Sequence, residues 1–177
     1  MGIENLAINI FMVVGQLIIS LALAMGAVYI GIRLFDKLTA GIDEISELKK
    51  GNAAVAILLG AIILSIANVI GGGVSGFISS IDIALPAAQI AASVVIAVSN
   101  LLISLILAVL SIYLAIIILD KITVDIDEFK ELKKGNVAIA ILMAAVLFAV
   151  SFIIRGAVTS LANSLSPASV ASALGWY

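Results

Sequence analysis

One polar sentence is written twice in a chain that is otherwise almost unbroken apolar sequence. Residues Asp43 to Asn52 read DEISELKKGN, and Asp127 to Asn136 read DEFKELKKGN. Held at a constant offset, 17 of the 31 positions from Asp36 to Ile66 are identical to those from Asp120 to Val150. So long an ungapped match marks an internal duplication, and each copy is then one structural unit. Apolar sequence flanks both polar islands, so the unit is two hydrophobic segments joined by a short charged link. Residues 1–86 make the first repeat and 87–177 the second.

The solvent of this chain is set by composition. Hydrophobic residues make up 64% of the 177 positions and charged residues 11%. A soluble domain has about half apolar and a quarter charged residues, and one of this size has no interior for the excess. Four segments reach the roughly 20 apolar residues that a bilayer crossing needs: Ile8 to Leu34, Ala53 to Ile70, Ala87 to Leu119 and Val137 to Ile154. The expected fold is all-α, an integral membrane protein. Its four transmembrane helices form two parallel two-helix repeats with short amphipathic cytoplasmic helices. The opening MGIEN places Glu4 where a cleaved signal needs positive charge, so the first segment reads as a permanent anchor.

Other classes are disfavoured on chemistry. A net charge of −2 offers no basic surface for nucleic acid. With neither Cys nor His, thiol nucleophiles and the usual zinc sites are absent. No nucleophile–base pair can be assembled, so no enzymatic activity and no cofactor are expected.

Eight of the 9 basic residues, Arg33, Lys37, Lys49, Lys50, Lys121, Lys130, Lys133 and Lys134, lie in or beside the islands. The positive-inside rule then places both islands in the cytoplasm and both termini outside. An even number of spans per repeat makes the repeats parallel. Ile42, Ile45 and Leu48, like Ile126, Phe129 and Leu132, recur every third residue, as on a short helix at the membrane surface. Acids precede lysines in each, as the helix dipole prefers. The island acids, Asp43, Glu44, Glu47, Asp127, Glu128 and Glu131, read as partners of the interleaved lysines at helical i,i+4 spacing rather than as a cation site. Gly51 suits the left-handed position that closes a helix, and Asn52 suits the cap of the next. Lys134, Gly135 and Asn136 repeat the Lys50-Gly51-Asn52 arrangement.

The KKGNxAxAIL motif, carried by Lys50-Gly51-Asn52 with Ala54, Ala56 and Ile57 and by Lys134-Gly135-Asn136 with Ala138, Ala140 and Ile141, resembles the YjfL-like inner-membrane proteins. These form a prokaryotic family catalogued as domain-of-unknown-function family 350. The resemblance covers both units and implies a two-repeat, four-helix protein of the inner membrane. It implies no chemistry.

Inside the spans the informative residues are uncharged. The repeat offset maps Gln16 and Ser20 onto Asn100 and Ser104, and Tyr29 onto Tyr113. Extended along each helix, the stripe runs Asn9, Gln16, Ser20, Ala24, Ala27 and Gly31 in one copy and Ser93, Ala97, Asn100, Ser104, Ala108 and Ser111 in the other. Such a small, polar face is buried against protein or lines a wet path. Packing is the preferred reading, since no Asp, Glu, Lys or Arg lies near mid-span as proton-coupled carriers require. The expected role is a structural or scaffold component that meets the bilayer and either its own copies or another membrane protein. The alternative is a small oligomeric channel or uncoupled transporter lined by the Gln16 and Asn100 faces. Gly71-Gly72-Gly73 with Ser75 to Pro86, and Arg155 to Pro167, read as small polar links outside the membrane, and periodicity leaves open whether they are loops, short interfacial helices or re-entrant pieces. Asn68 and Arg155 have no repeat mate of their own type. Arg155 reads as an end residue reaching for the headgroups, with Asp82 a possible ion partner, and Trp176-Tyr177 reads as an interfacial anchor.

Overall fold

The structure is a computed structural model that describes residues 43–80, 87–124 and 126–164, together with scattered positions between 10 and 37. Five helices are bounded: α1 Glu44–Lys49, α2 Ala53–Ser80, α3 Ala87–Ile122, α4 Glu128–Lys133 and α5 Val137–Ser164. The described positions between 10 and 37 are also helical. Among the described residues there is no strand. That is what a hydrocarbon solvent demands, because a helix satisfies its backbone polar groups within one segment.

Among the described residues, three helices are long and apolar enough to cross a membrane: Ala53–Ser75, Val94–Ile122 and Val137–Ser164. The expected first span lies largely outside the described residues, as do Gln16, Ser20, Asp82 and the Trp176-Tyr177 pair. The duplication is visible in the helix bounds. α1 and α4 are both 6 residues and α2 and α5 both 28, each pair at the offset of the sequence repeat.

Two of the helices run farther than the hydropathy pattern suggests. α2 continues through Gly71-Gly72-Gly73 to Ser80, and α5 through Arg155 and Gly156 to Ser164. The expected outer links therefore begin as helix. The glycines do not break α2 because they serve close approach instead. A Cβ on Gly72 would lie 3.1 Å from Thr159 Oγ1 and 3.2 Å from the Arg155 carbonyl, and one on Gly73 would overlap the Ser104 hydroxyl. Within a bilayer, where lipid offers no alternative backbone partner, neighbouring packing offsets the low helix propensity of glycine.

α2 is the centre of the bundle. It packs on both α3 and α5, and α3 also packs on α5. Leu58, Ile62, Ile66 and Val69 of α2 join Ile112 and Ala115 of α3 and Met143 and Leu147 of α5 in one buried cluster. α2 and α5 run in the same direction. Asn52 meets Leu132 at one end, and Asn68 meets Ser151 and Arg155 farther along. α3 runs opposite to them, with Ser104 beside Gly73.

Candidate functional site

The duplicated islands build one local structure twice. Asp43 caps α1, accepting from the Ser46 N–H at 3.0 Å, and Asp127 caps α4, accepting from the Lys130 N–H at 3.0 Å. At the other end Gly51 and Gly135 adopt φ of 77° and 79°. That left-handed turn lets Gly51 N–H reach the Leu48 carbonyl (3.0 Å) and Asn52 N–H reach the Glu47 carbonyl (3.0 Å). The second copy repeats both, Gly135 to Leu132 at 2.9 Å and Asn136 to Glu131 at 3.0 Å. These are the paired bonds of a Schellman closure, which occupy carbonyls a helix end would otherwise leave open.

Asn52 and Asn136 then start the next helices. The Oδ1 of Asn52 accepts from Ala54 N–H (3.1 Å) and Val55 N–H (3.2 Å), and that of Asn136 accepts from Ala138 (3.2 Å) and Ile139 (3.4 Å). Their amide nitrogens reach back to Glu47 and Glu131, each at 2.9 Å. Lys50 closes on Glu47 at 2.8 Å and Lys134 on Glu131 at 2.6 Å. The island pairs are thus three residues apart, not four, because Gly51 and Gly135 stand four residues after Glu47 and Glu131 and the lysines stand at three. Lys50, with Asn52, holds the Glu47 carboxyl below its ordinary range; Asn136, with Lys134, does the same for Glu131. Among the described residues no cluster of acids is arranged to hold a metal ion.

The islands also touch each other, and unequally. Asn52 Nδ2 donates to the Leu132 carbonyl at 3.0 Å across the repeats. Leu132 is fully buried, whereas its mate Leu48 is exposed. Glu128, only 6% exposed, is hydrogen-bonded by the Thr123 hydroxyl. No periodicity argument distinguishes that glutamate from its solvated neighbours.

On α3 the small polar stripe is buried in protein. Asn100 is 3% exposed, and Ser104, Ala108, Ser111 and Ala115 are no more open than that. The serines satisfy themselves on their own helix, Ser104 to the Leu101 carbonyl and Ser111 to that of Ala108, both at 2.7 Å. Among the described residues, neither polar atom of the Asn100 amide has a partner. Tyr113 does not belong to this face. It lies two residues beyond Ser111, about 200° around the helix, and is exposed. Tyr29 is exposed as well, its hydroxyl accepting from Arg33 Nε at 3.2 Å.

Two residues without a repeat mate of their own type find each other. Arg155 Nη1 donates to Asn68 Oδ1 at 2.8 Å, and Asn68 Nδ2 contacts Ser151 Oγ at 3.2 Å. Arg155 is therefore not simply a free end residue; it bridges α5 to α2 beside Gly72. Sequence could have flagged this pair through its shared departure from the duplication, though not the contact itself.

This geometry covers both halves of the chain, and so does the family comparison. The family described as Domain of Unknown Function (DUF350) matches at residues 8–106 and again at 89–177. The chain belongs to the DUF350 family. The two matches lie in tandem, as the duplicated Schellman closures do. No curated protein and no solved structure matches the chain.

Proposed function

We propose that this DUF350 chain is a non-enzymatic assembly component of the inner membrane, a scaffold that packs through its small, polar helix faces into oligomers or against another membrane protein. The observation that supports the reading is that this chain already uses such a face for helix packing: the stripe from Asn100 to Ala115 is buried within the chain, with Ser104 against Gly73 of α2, and other small faces are left for a neighbour. A face given over to close helix contact, with Gly73 seated on Ser104, is the face of a packing protein. The cavity between Leu58, Ile62, Ala115, Leu119 and Met143 is apolar and about 10 Å³, too small to hold a water comfortably and far too small for a path. The lysine-bearing islands face the cytoplasm in this reading, and the termini lie outside.

The channel reading draws on one observation, the buried and unpartnered Asn100 amide, whose polar atoms a wet path opened in an assembly would satisfy. Oligomer size and liposome flux, measured on one preparation, separate the two. The packing reading expects an oligomer without solute flux, and no flux in the Gln16→Leu/Asn100→Leu variant. Flux that the double variant abolishes while assembly persists would establish the channel. Orientation is tested by single cysteines, Ser46→Cys and Ser169→Cys. They should react with an impermeant reagent from opposite sides, with Ser46→Cys labelled only after the membrane is opened.

A further inference from the structure

The contacts between the two repeats run one way. Asn52 meets the Leu132 carbonyl, Asn68 meets Ser151 and Arg155, and a Cβ on Gly72 would meet Thr159 and Arg155. Exchanging the repeats turns these pairs into Asn136 with the Leu48 carbonyl, Phe152 with Ala67 and Gly71, and Gly156 with Ser75 and Gly71. Among the described residues these exchanged contacts do not form. Asn52 Nδ2 donates both to its own Glu47 and to Leu132, whereas Asn136 Nδ2 donates to its own Glu131 with no described partner in the other repeat. Phe152 is 64% exposed, and a Cβ on Gly71 or Gly156 would meet nothing within 4 Å. A twofold relation, which parallel repeats first suggest, would form both sets. One set without the other is the signature of a head-to-tail interface, where one surface of a unit seats on a different surface of the next. Duplication puts both surfaces on both repeats, so each chain leaves one of each unused.

We propose that the two unused surfaces bind each other between copies of this chain, repeat 2 of one copy seating on repeat 1 of the next as repeat 1 seats on repeat 2 within a chain. The proposal rests on the assembly reading above and names its interface. Shape agrees with it. Ala67, Gly71 and Ser75 lie at four-residue spacing on α2. Ala67 packs partly on the core, while Ser75 is exposed and a Cβ on Gly71 would meet nothing within 4 Å, and Phe152 is exposed on α5. Membrane helices associate by this kind of close fit because lipid supplies no hydrophobic drive. At the island end, Asn136 is placed to donate to the neighbour's Leu48 carbonyl as Asn52 donates to Leu132.

The chain has no cysteine, so a disulfide reports the contact directly. Gly72 Cβ would lie 3.1 Å from Thr159 Oγ1; the corresponding pair between copies is Gly156 with Ser75. Full-length Ser75→Cys/Gly156→Cys protein, oxidised in membranes, should give dimers and larger species, and neither single variant should. Phe152→Ala should weaken self-association about tenfold or more, the equivalent of 1.4 kcal/mol, with unchanged helical content. An oligomer of normal mass without the cross-link would mean that copies, or a different membrane protein, meet elsewhere. That overturns this interface and leaves the assembly reading standing. Dimers from either single variant would reveal a symmetric contact and overturn it equally. A protein that stays monomeric, with Gly156→Cys shielded from thiol reagent by its own first span, would overturn both.

Discussion

The side-chain amide of Asn52 donates to the backbone carbonyl of Leu132 at 3.0 Å, and Asn136, its mate in the duplication, makes no such bond among the described residues. Two identical motifs with identical local geometry are thus set in different tertiary surroundings. The first prediction follows from that difference. Each asparagine caps a helix, which is worth about 1 kcal/mol. Only Asn52 adds a hydrogen bond between repeats, worth about another 1 kcal/mol. Asn52→Ala should therefore lower the midpoint of unfolding in detergent more than Asn136→Ala, and equal losses would show that the cross-repeat bond contributes nothing.

Gly51 and Gly135 behave alike, because their demand is local. Both have φ near the left-handed value, 77° and 79°, where a Cβ costs about 1 kcal/mol. Ala at either site should destabilise by about that amount, and Asn, which tolerates this conformation, by less. Thermal unfolding of the four variants reads this out directly.

Gly73 makes a different demand, one of space. A Cβ there would overlap the Ser104 hydroxyl and stand 2.5 Å from the Ser104 Cβ. Gly73→Ala should force α2 and α3 apart and destabilise by about 1–3 kcal/mol, as overpacking does. Gly73→Ala/Ser104→Gly should recover most of that loss. Gly60→Ala, with nothing within 4 Å, should instead be neutral or stabilising.

Acid should loosen the islands. Glu47 and Glu131 are held below their ordinary range by Lys50 with Asn52 and by Asn136 with Lys134 respectively. A carboxyl with a lower pKa folded than unfolded contributes stability that is complete above its ordinary value. The contribution is lost as pH falls through the lowered folded value. The protection of the Gly51 and Gly135 amides, measured against the intrinsic exchange rate at each pH, should fall over that acid range, and less steeply in Glu47→Gln/Glu131→Gln.

The element boundaries at the islands were legible in the chain because they rest on short-range chemistry. Gly51 needs φ above zero and Asn52 offers an oxygen to open N–H groups, so local bonding decides both. Asp43 and Asp127 read in the sequence as acids suited to the helix dipole and to the lysines; that their carboxylates cap α1 and α4 came from the structure. At the triple glycine the sequence left the conformation open, since low helix propensity and a long apolar run point different ways; packing decides it, because Gly72 and Gly73 let α5 and α3 approach α2. The stripe from Asn100 to Ser111 was visible as a small, polar face; what it touches was not.

By itself, the sequence determined that this chain lives in a bilayer, that it carries one unit twice, and that each unit turns through a Lys-Lys-Gly-Asn closure. These depend on composition, offset and bonding within a few residues. Only the tertiary structure decided that Arg155 reaches Asn68 and that Leu132 is buried while Leu48 is exposed. Identical sequences carry identical local geometry, but each copy of the island has different neighbours, and burial is set by neighbours.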